Sequence, residues 1–135
     1  MNINQPLVSI IIVTWNRKED ILDALGAIKK QTYPNLEVII VDNGSTDGTV
    51  KEIRKLYKDY RLICLASNVG CEEGFNVGIV NATGSILIYL DSDAFFEDDG
   101  ISKIVDKFNN NPSLGIIDPR IYNFYSKSIQ NEPKN

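Results

Sequence analysis

The chain alternates short apolar segments with amphipathic ones, and this alternation restricts its fold more than any other feature of the sequence. The first two apolar segments, Leu7–Val13 and Leu36–Val41, are rich in β-branched residues and contain one polar residue each. Such segments are typical of strands that are buried on both faces of a parallel sheet. Three later segments are also predicted as strands: Arg61–Ala66, Ser85–Leu90 and, shortened by Pro119, Ile116–Ile121.

The segments between the strands carry apolar residues at helical spacing. Asn16, with Glu19 three residues later, resembles the N-cap of a first helix that ends near Gln31. Further helices are predicted at Val50–Tyr57, Cys71–Ala82 and Gly100–Asn109. Strands and helices therefore alternate, which predicts an α/β fold with a Rossmann-like, mostly parallel sheet and helices on both of its faces.

Length, charge and residue types narrow the class of protein. The 135 residues suffice for a single domain, predicted over residues 1–135, and the net charge of −4 disfavours nucleic acid as a partner. The absence of histidine excludes Ser-His and Cys-His catalysis and most zinc chemistry. Two cysteines are too few for a disulfide scaffold, and no apolar segment approaches the ~20 residues of a membrane span. We therefore expect a cytoplasmic protein, at most peripheral to the inner face of the membrane.

Polar segments follow four of the predicted strands. They are Thr14–Asn16, Asp42–Asn43, Asn68–Gly70 and Asp91–Asp93. Because ligands of open parallel sheets bind at the carboxyl ends of the strands, we expect these segments to line one edge that forms the binding site.

Asp91 and Asp93 directly follow a buried strand, and their spacing lets both side chains point the same way. Two carboxylates at a strand end suit a hard divalent ion, Mg²⁺ or Mn²⁺, that also holds substrate phosphates. A solvated turn is the alternative, because a chain with eleven aspartates contains roughly one Asp-x-Asp pair by chance. The neighbouring Glu97, Asp98 and Asp99 are interpreted instead as charges at the start of a helix.

Other residues of these segments each allow two interpretations. Trp15 is either a platform for a planar base or an aromatic residue of the core or its rim. Asp42 is placed to accept a hydrogen bond from a base N–H. The glycine-rich stretch that begins at Asn68 either binds a diphosphate through free helix amides or provides a close contact between a strand and a helix.

Taken in order, these segments resemble the family 2 glycosyltransferases with the GT-A fold. The resemblance covers roughly residues 7–122 and is carried by VSIIIVTWNR (8–17), QTYPNLEVIIVDNGSTDGT (31–49), NVG (68–70), GFNVGI (74–79), ATG (82–84) and LDSD (90–93). It implies the N-terminal, nucleotide-sugar-binding portion of an enzyme that transfers a sugar to an acceptor, usually with inversion.

The resemblance also assigns roles to residues. Those implied to bind the nucleotide are Thr14, Trp15, Asn16, Asp42, Gly70, Asn76 and Asp91. Asp93, with Asp91, is implied to coordinate Mn²⁺ or Mg²⁺ at the diphosphate. The implied partners are a UDP-, GDP- or dTDP-sugar and a saccharide or lipid-linked acceptor.

Two departures from the family pattern affect the function. Glu72 and Glu73 stand where small residues are common, and we expect at least one of them to turn outward or to join the metal shell. No residue is assignable as the general base, which together with the acceptor-binding part is expected downstream, so the chain is interpreted as truncated. The alternatives are a non-catalytic nucleotide-binding or interaction module of the same fold and, less favoured, a nucleotidyltransferase.

Overall fold

The computed structural model describes residues 5–122, which form four strands and four helices in strict alternation. Their bounds are β1 Val8–Thr14, α1 Lys18–Lys29, β2 Leu36–Asp42, α2 Thr49–Leu56, β3 Arg61–Cys64, α3 Cys71–Asn81, β4 Ile86–Asp91 and α4 Gly100–Asn110. The strands pair in the order β3-β2-β1-β4, and every pair is parallel. The α/β prediction is therefore confirmed.

The order of the strands reverses direction at β1. From β1 the chain first adds β2 and β3 on one side, and it then returns to place β4 on the other side. A crevice forms where the connections leave a parallel sheet in opposite directions, at the carboxyl ends of the strands. The fold thus places the crevice beside the ends of β1 and β4.

One face of the sheet packs against three helices. Alternate strand residues such as Ile10, Ile40 and Leu90 form a continuous buried cluster with side chains of α1, α2 and α4. The helix residues in this cluster are Ile21, Leu25, Ile28, Ile53, Ile101 and Val105. This cluster is the main hydrophobic core of the described residues, and it holds the strands in position from one face of the sheet.

The opposite face of the sheet packs against α3 through two glycines. A Cβ on Gly78 would overlap Ile11 Cγ2, and a Cβ on Gly74 would lie 2.7 Å from Val13 Cγ1. Both approaches are closer than two carbon atoms tolerate, so only glycine permits this packing of α3 on β1. The interpretation of this stretch as a close contact between a strand and a helix is confirmed.

Three details of the sequence-based secondary structure are wrong. Asn16 is not the N-cap of α1, because the helix begins at Lys18 and Asn16 adopts a left-handed conformation with φ 50°. The third strand ends at Cys64, two residues early, and Ile116–Ile121 forms no strand. Asn16 is held instead by hydrogen bonds with Ser45 and Thr46 after β2, and Pro119 disfavours a strand at Ile116–Ile121.

Glu97 and Asp99, which precede α4, form ion pairs and do not cap the helix as expected. Asp99 occupies the N-cap position, but its side chain makes no capping hydrogen bond to the backbone amides of the helix. Its carboxylate instead pairs with Lys103 Nζ at 2.8 Å, and Glu97 lies 3.6 Å from the same nitrogen. These acids remain structural, as the sequence indicated, through an ion pair on the surface of the helix.

Hydrogen bonds of Glu37, Ser9, Thr83 and Gly84 join the strands at the end of the sheet opposite the crevice. We call this network the polar clamp. The Glu37 carboxylate on β2 accepts hydrogen bonds from Ser9 Oγ on β1 and from Thr83 N and Thr83 Oγ1 before β4, the last two at 2.9 Å. The buried Ser9 Oγ in turn accepts a bond from Gly84 N at 2.8 Å. One carboxylate therefore ties three parts of the sheet together.

Replacing Glu37 with glutamine is expected to lower stability at neutral pH by about 1 kcal/mol. Desolvation raises the pKa of Glu37, but the bonds from Ser9 and Thr83 and the charge of Arg61 outweigh it, so the pKa lies below its usual value. A depressed pKa contributes stability above the pKa of the unfolded chain, and this contribution is lost as the pH falls through the folded-state value. Urea unfolding at neutral pH and at about pH 3 should therefore show a smaller acid-induced loss in the variant than in the wild type. An equal loss in both proteins would contradict the role of Glu37.

Candidate functional site

Strand pairing brings the predicted site residues to one edge of the sheet. Thr14 of β1 pairs with Asp42 of β2, and Val13 pairs with Asp91 of β4. Because neighbouring strands lie about 4.8 Å apart, Asp42 and Asp91 flank the end of β1 at a separation of about 10 Å. Residues from three strands that are far apart in sequence therefore meet at the crevice.

Two buried oxygen atoms at this edge lack a hydrogen-bond partner within residues 5–122. They are Thr14 Oγ1 and Asp42 Oδ1, on residues that are 2% and 1% exposed. A buried polar group without a partner costs free energy, so native structures seldom keep one without a reason such as a ligand or an ordered water. The two residues pair across β1 and β2, so both unpartnered oxygens belong to neighbouring strand ends at the crevice.

The other carboxylate oxygen of Asp42 is fully used. Asp42 Oδ2 accepts bonds from the backbone N–H groups of Gly44 at 3.1 Å and of Ser45 at 2.9 Å. Gly44 has φ 78°, and its Cα hydrogen faces the backbone of Ser67, where a Cβ would lie at 3.0 Å. The tight turn after β2 therefore fixes the orientation of the Asp42 side chain and the direction of its free oxygen.

The loop after β1 is fastened to the loop after β2. Asn16 Oδ1 accepts a bond from Thr46 N at 2.8 Å, and Asn16 N donates to Ser45 Oγ at 2.9 Å. Asp47 accepts bonds from Lys18 N at 3.1 Å and from Thr49 N at 3.0 Å, so one carboxylate satisfies the starts of both α1 and α2. Asn16 thus links the two loops at the site. Asp47 accepts the hydrogen bond at the start of α1 that the sequence assigned to Asn16.

Trp15 lies between these fastened loops and is 50% exposed. Half of its surface therefore faces solvent beside Thr14, which excludes the interpretation of Trp15 as a core residue. An exposed indole face that rises from a rigid loop is suited to stack on a planar ring.

Asp91 and Asp93 lie on the exposed side of the turn that follows β4, with buried Ser92 between them. The turn closes through a bond from Ala94 N to Asp91 O at 3.1 Å, so Asp93 is in a turn rather than in an extended segment. Asp93 Oδ2 lies 3.1 Å from Arg17 Nη1, a cation of the loop after β1.

The donor set fits a magnesium or manganese ion that also binds a substrate phosphate. Within the described residues, no group of three or more His, Cys, Asp or Glu side chains could enclose a metal. Mg²⁺ is commonly held by only one or two protein carboxylates, with water and phosphate oxygens completing its shell. Asp91 and Asp93 offer two hard oxygen donors, and Asp93 already pairs with one cation, the guanidinium of Arg17.

The start of α3 forms the third side of the crevice. Asn43, which is 2% exposed, donates from Nδ2 to Gly70 O at 3.0 Å, while Asn43 N donates to Thr14 O at 2.9 Å. Gly70 has φ 92° and lies at the N-cap position, so the first amides of α3 begin next to the β1 end. The free amides of a helix start are a ready site for a phosphate group.

Negative charge gathers at this helix start. Desolvation raises the pKa of the Cys71 thiol, and the charges of Asp91 and Glu72 raise it further. Glu72 and Glu73 are both exposed, and Glu73 accepts a bond from Asn76 Nδ2 at 3.2 Å. Glu73 is thus turned outward, as expected, whereas Glu72 and Asp91 both add negative charge beside Cys71 at the start of α3.

Asn76 is the one predicted site residue that the structure does not bring to the strand ends. It lies two residues beyond Gly74, which places it about 200° around the helix from the glycines that touch the sheet. Its amide bonds to Glu73 on the outer side of α3. Its assignment to nucleotide binding stays a prediction that the contacts do not support.

Sequence reasoning missed two residues that organise the site, Asn43 and Arg17. Asn43 links the ends of β1 and β2 to α3, and Arg17 pairs with Asp93 across 76 positions. The position of Asn43, in the polar segment that directly follows a predicted strand, was a usable signal for the first. The second contact arises only from the strand order, so no local pattern indicated it.

None of the helices within residues 5–122 is both long and apolar enough to cross a membrane.

Comparison with known proteins places this geometry in a family. The sequence profile described as Glycosyl transferase family 2 matches residues 9–135. The poly-β-1,6-N-acetyl-D-glucosamine synthase of Staphylococcus epidermidis is 32% identical over 120 residues, which are 86% of this chain and 29% of that protein.

Solved structures agree with the sequence comparison. The mannosyltransferase PcManGT from Pyrobaculum calidifontis, in complex with GDP-Man and Mn²⁺, superposes with a TM-score of 0.73 at 31% identity, covering 82% of this chain and 34% of its own. TarS of S. aureus, in complex with UDP-GlcNAc, superposes with a TM-score of 0.72 at 26% identity, covering 78% of this chain and 32% of its own. The chain thus spans about a third of the length of the synthase and of these two solved chains, of which the second holds TarS residues 1–349. With the fold, the crevice and the family profile in agreement, the chain belongs to glycosyltransferase family 2.

Proposed function

We propose that residues 1–135 form the nucleotide-sugar-binding domain of a glycosyltransferase that transfers a sugar from a UDP-, GDP- or dTDP-sugar to a saccharide or lipid-linked acceptor. The observation that carries the proposal is the pair of buried, unpartnered oxygens, Thr14 Oγ1 and Asp42 Oδ1, at the crevice of the sheet. The complexes of the similar proteins PcManGT with GDP-Man and TarS with UDP-GlcNAc support a nucleotide-sugar donor.

The base is proposed to bind at the carboxyl ends of β1 and β2, beside the loops that follow them. Asp42 Oδ1 accepts a hydrogen bond from a base N–H, Thr14 Oγ1 offers a further polar contact, and Trp15 stacks on the ring. Because Asp42 is held by the Gly44 and Ser45 amides, its free oxygen is oriented before the ligand arrives. Such preorganisation reduces the entropic cost of binding.

The diphosphate is proposed to lie between β4 and the start of α3. Asp91 and Asp93 hold a divalent cation, Mn²⁺ or Mg²⁺, which the complex of PcManGT with Mn²⁺ supports. When bound, this ion supplies Lewis-acid neutralisation of the charge that develops on the departing nucleoside diphosphate. The amides of Gly70 and the first turn of α3 bind the phosphate oxygens, while Glu72 disfavours a diphosphate that arrives without the ion.

Inversion at the anomeric carbon is part of the proposal and rests on the family. It requires a base within hydrogen-bond reach of the acceptor hydroxyl, and we assign none of residues 5–122 to that role. The proposed compartment is cytoplasmic, where nucleotide-sugars serve as donors.

Thermal unfolding with nucleoside diphosphates tests the donor site. UDP, GDP and dTDP are each titrated with and without Mn²⁺, and one of them should raise the unfolding temperature in the presence of the metal. At a ligand concentration of 100 times Kd the stabilisation should be about 2.7 kcal/mol. Asp93→Asn should remove the metal-dependent part of this shift and leave the metal-independent part.

The controls separate the donor site from a non-catalytic module. Asp106→Asn removes an equal charge from the exposed side of α4, away from the crevice, and should behave as the wild type. If none of the three nucleotides gave a shift with or without metal, the proposed donor site would be wrong and the alternative of an interaction module would be favoured.

A further inference from the structure

Arg17 is a cation that the fold places on a carboxylate of the candidate metal site. It occupies the N-cap position of α1, directly after the loop that carries Trp15. Its Nη1 lies 3.1 Å from Asp93 Oδ2 and 3.3 Å from Asp20 Oδ2. One guanidinium therefore bridges two carboxylates, one at the crevice and one on the first turn of α1.

This contact competes with a metal for the same carboxylate. A divalent ion and a guanidinium repel each other, so a guanidinium held 3.1 Å from Asp93 Oδ2 weakens the binding of a metal to that carboxylate. The side chains of Arg17 and Asp93 are 54% and 57% exposed, so their pair is solvated and weak. The pair is thus weak enough for a divalent ion to displace Arg17.

Asp20 gives the displaced guanidinium a place to remain. It lies three residues after Arg17, and its carboxylate already contacts the same Nη1 atom. When Asp93 turns to a metal, Arg17 keeps one ion pair and need not be expelled into solvent. The exchange requires only a change of side-chain rotamer on a fixed helix start.

We propose that Arg17 is the resident counter-cation of Asp93, which a divalent metal must displace, so that Arg17 weakens metal binding to the free site. The inference rests on the proposed function, since it takes Asp93 as a metal ligand. Arg17 is a tuning residue in this scheme: it keeps Asp93 neutralised until the ion arrives, and it then transfers to Asp20.

Titration with Mn²⁺ alone tests the inference. The free ion is followed by its electron paramagnetic resonance at low ionic strength, in wild type and in Arg17→Gln. The variant should bind Mn²⁺ about threefold to tenfold more tightly, since the competing pair and the repulsion of the ion are both removed. The difference should shrink at high salt, which screens exposed charges.

One further variant separates competition from net charge, and a second tests the pair of Arg17 with Asp20. Lys18→Gln removes the same charge one position away, from a side chain that pairs with Glu19 and not with Asp93, and should tighten binding by less than twofold. Asp20→Asn leaves Arg17 with Asp93 as its carboxylate partner among these contacts and should weaken binding. If Arg17→Gln bound Mn²⁺ no more tightly than Lys18→Gln, the inference would be overturned.

Asp93→Asn distinguishes failure of the inference from failure of the proposed site. Loss of Mn²⁺ binding in Asp93→Asn, combined with unchanged binding in Arg17→Gln, would overturn only the role of Arg17. Equal binding in Asp93→Asn and the wild type, or no binding by any variant, would reject the metal site and the inference together. Unfolding temperatures without ligand confirm that each variant is folded.

Discussion

Replacing Asp42 with asparagine is expected to lower the affinity for the nucleoside diphosphate about 10-fold to 100-fold while the protein stays folded. The asparagine side chain keeps a carbonyl oxygen for the Gly44 and Ser45 amides, which hold the carboxylate in the wild type. It places an NH₂ group where the unpartnered Oδ1 stood, so two donors face each other when the base binds. The loss of one hydrogen bond to a charged acceptor, about 1.5 to 3 kcal/mol, corresponds to that decrease in affinity.

Asp47→Asn is the matched control for this experiment. The Asp47 carboxylate also accepts backbone N–H bonds in the same loop, but its partners are Lys18 and Thr49 at the two helix starts. Both variants should lose about 1 to 2 kcal/mol of stability through weaker charge-assisted bonds. Isothermal titration with the nucleotide that gives the largest thermal shift should show a large decrease in affinity for Asp42→Asn only. Equal affinities in the two variants would show that Asp42 does not contact the base.

Gly78→Ala is expected to destabilise the protein by about 3 kcal/mol, although alanine favours helices over glycine. The new Cβ would overlap Ile11 Cγ2 in the buried contact between α3 and β1. The overlap must be relieved by moving a helix or a central strand, which costs about 1 to 3 kcal/mol and more where the core is rigid. Urea unfolding gives the change in free energy.

A second helical glycine provides the contrast. A Cβ on Gly26 in α1 meets its nearest atom, Tyr57 Oη, at 3.7 Å, which is an ordinary contact. Gly26→Ala should therefore stabilise the protein by about 0.5 to 1 kcal/mol, the usual gain in a helix. The double variant Ile11→Ala, Gly78→Ala should be less destabilised than the sum of its single variants, because the first change removes the methyl group that the second one meets. Strict additivity would contradict the contact.

Sequence patterns were sufficient to predict strands and helices where the apolar residues of a segment followed a single strand-like or helical spacing. The β-branched runs of β1 and β2 and the helical spacing in α1 to α4 predicted the correct element types, and the rule for parallel strands predicted that Thr14, Asp42 and Asp91 lie at the same end of the sheet. Predictions from local signals failed at the element ends. Asn16 and Glu19 matched a capping pattern, yet the start of α1 is satisfied by Asp47 from another loop.

The contacts of the site depend on distant pairs that no local pattern encodes. Asn43 reaches Gly70 and Arg17 reaches Asp93 because β1 lies between β2 and β4. Ile116–Ile121 has strand-forming residues but includes Pro119, and strand formation also needs a partner edge. A sequence therefore indicates which residues can serve a site, while the strand order decides which of them meet.

The polar clamp at the opposite end of the sheet fixes the register of β4 on β1, and this register sets the positions of the residues at the crevice. Gly84 N bonds Ser9 Oγ and Ser85 N bonds Leu7 O, so β4 is anchored to β1 at its first residues. A Cβ on Gly84 would lie 2.6 Å from Ser9 Oγ, so a residue with a side chain could not take this place if β4 shifted along β1. Because strand side chains alternate, a slip of β4 by one residue would turn Asp91 to the other face of the sheet. Ser9 and Gly84, about 20 Å from the crevice, thus fix the register of β4 and with it the position of Asp91 and Asp93.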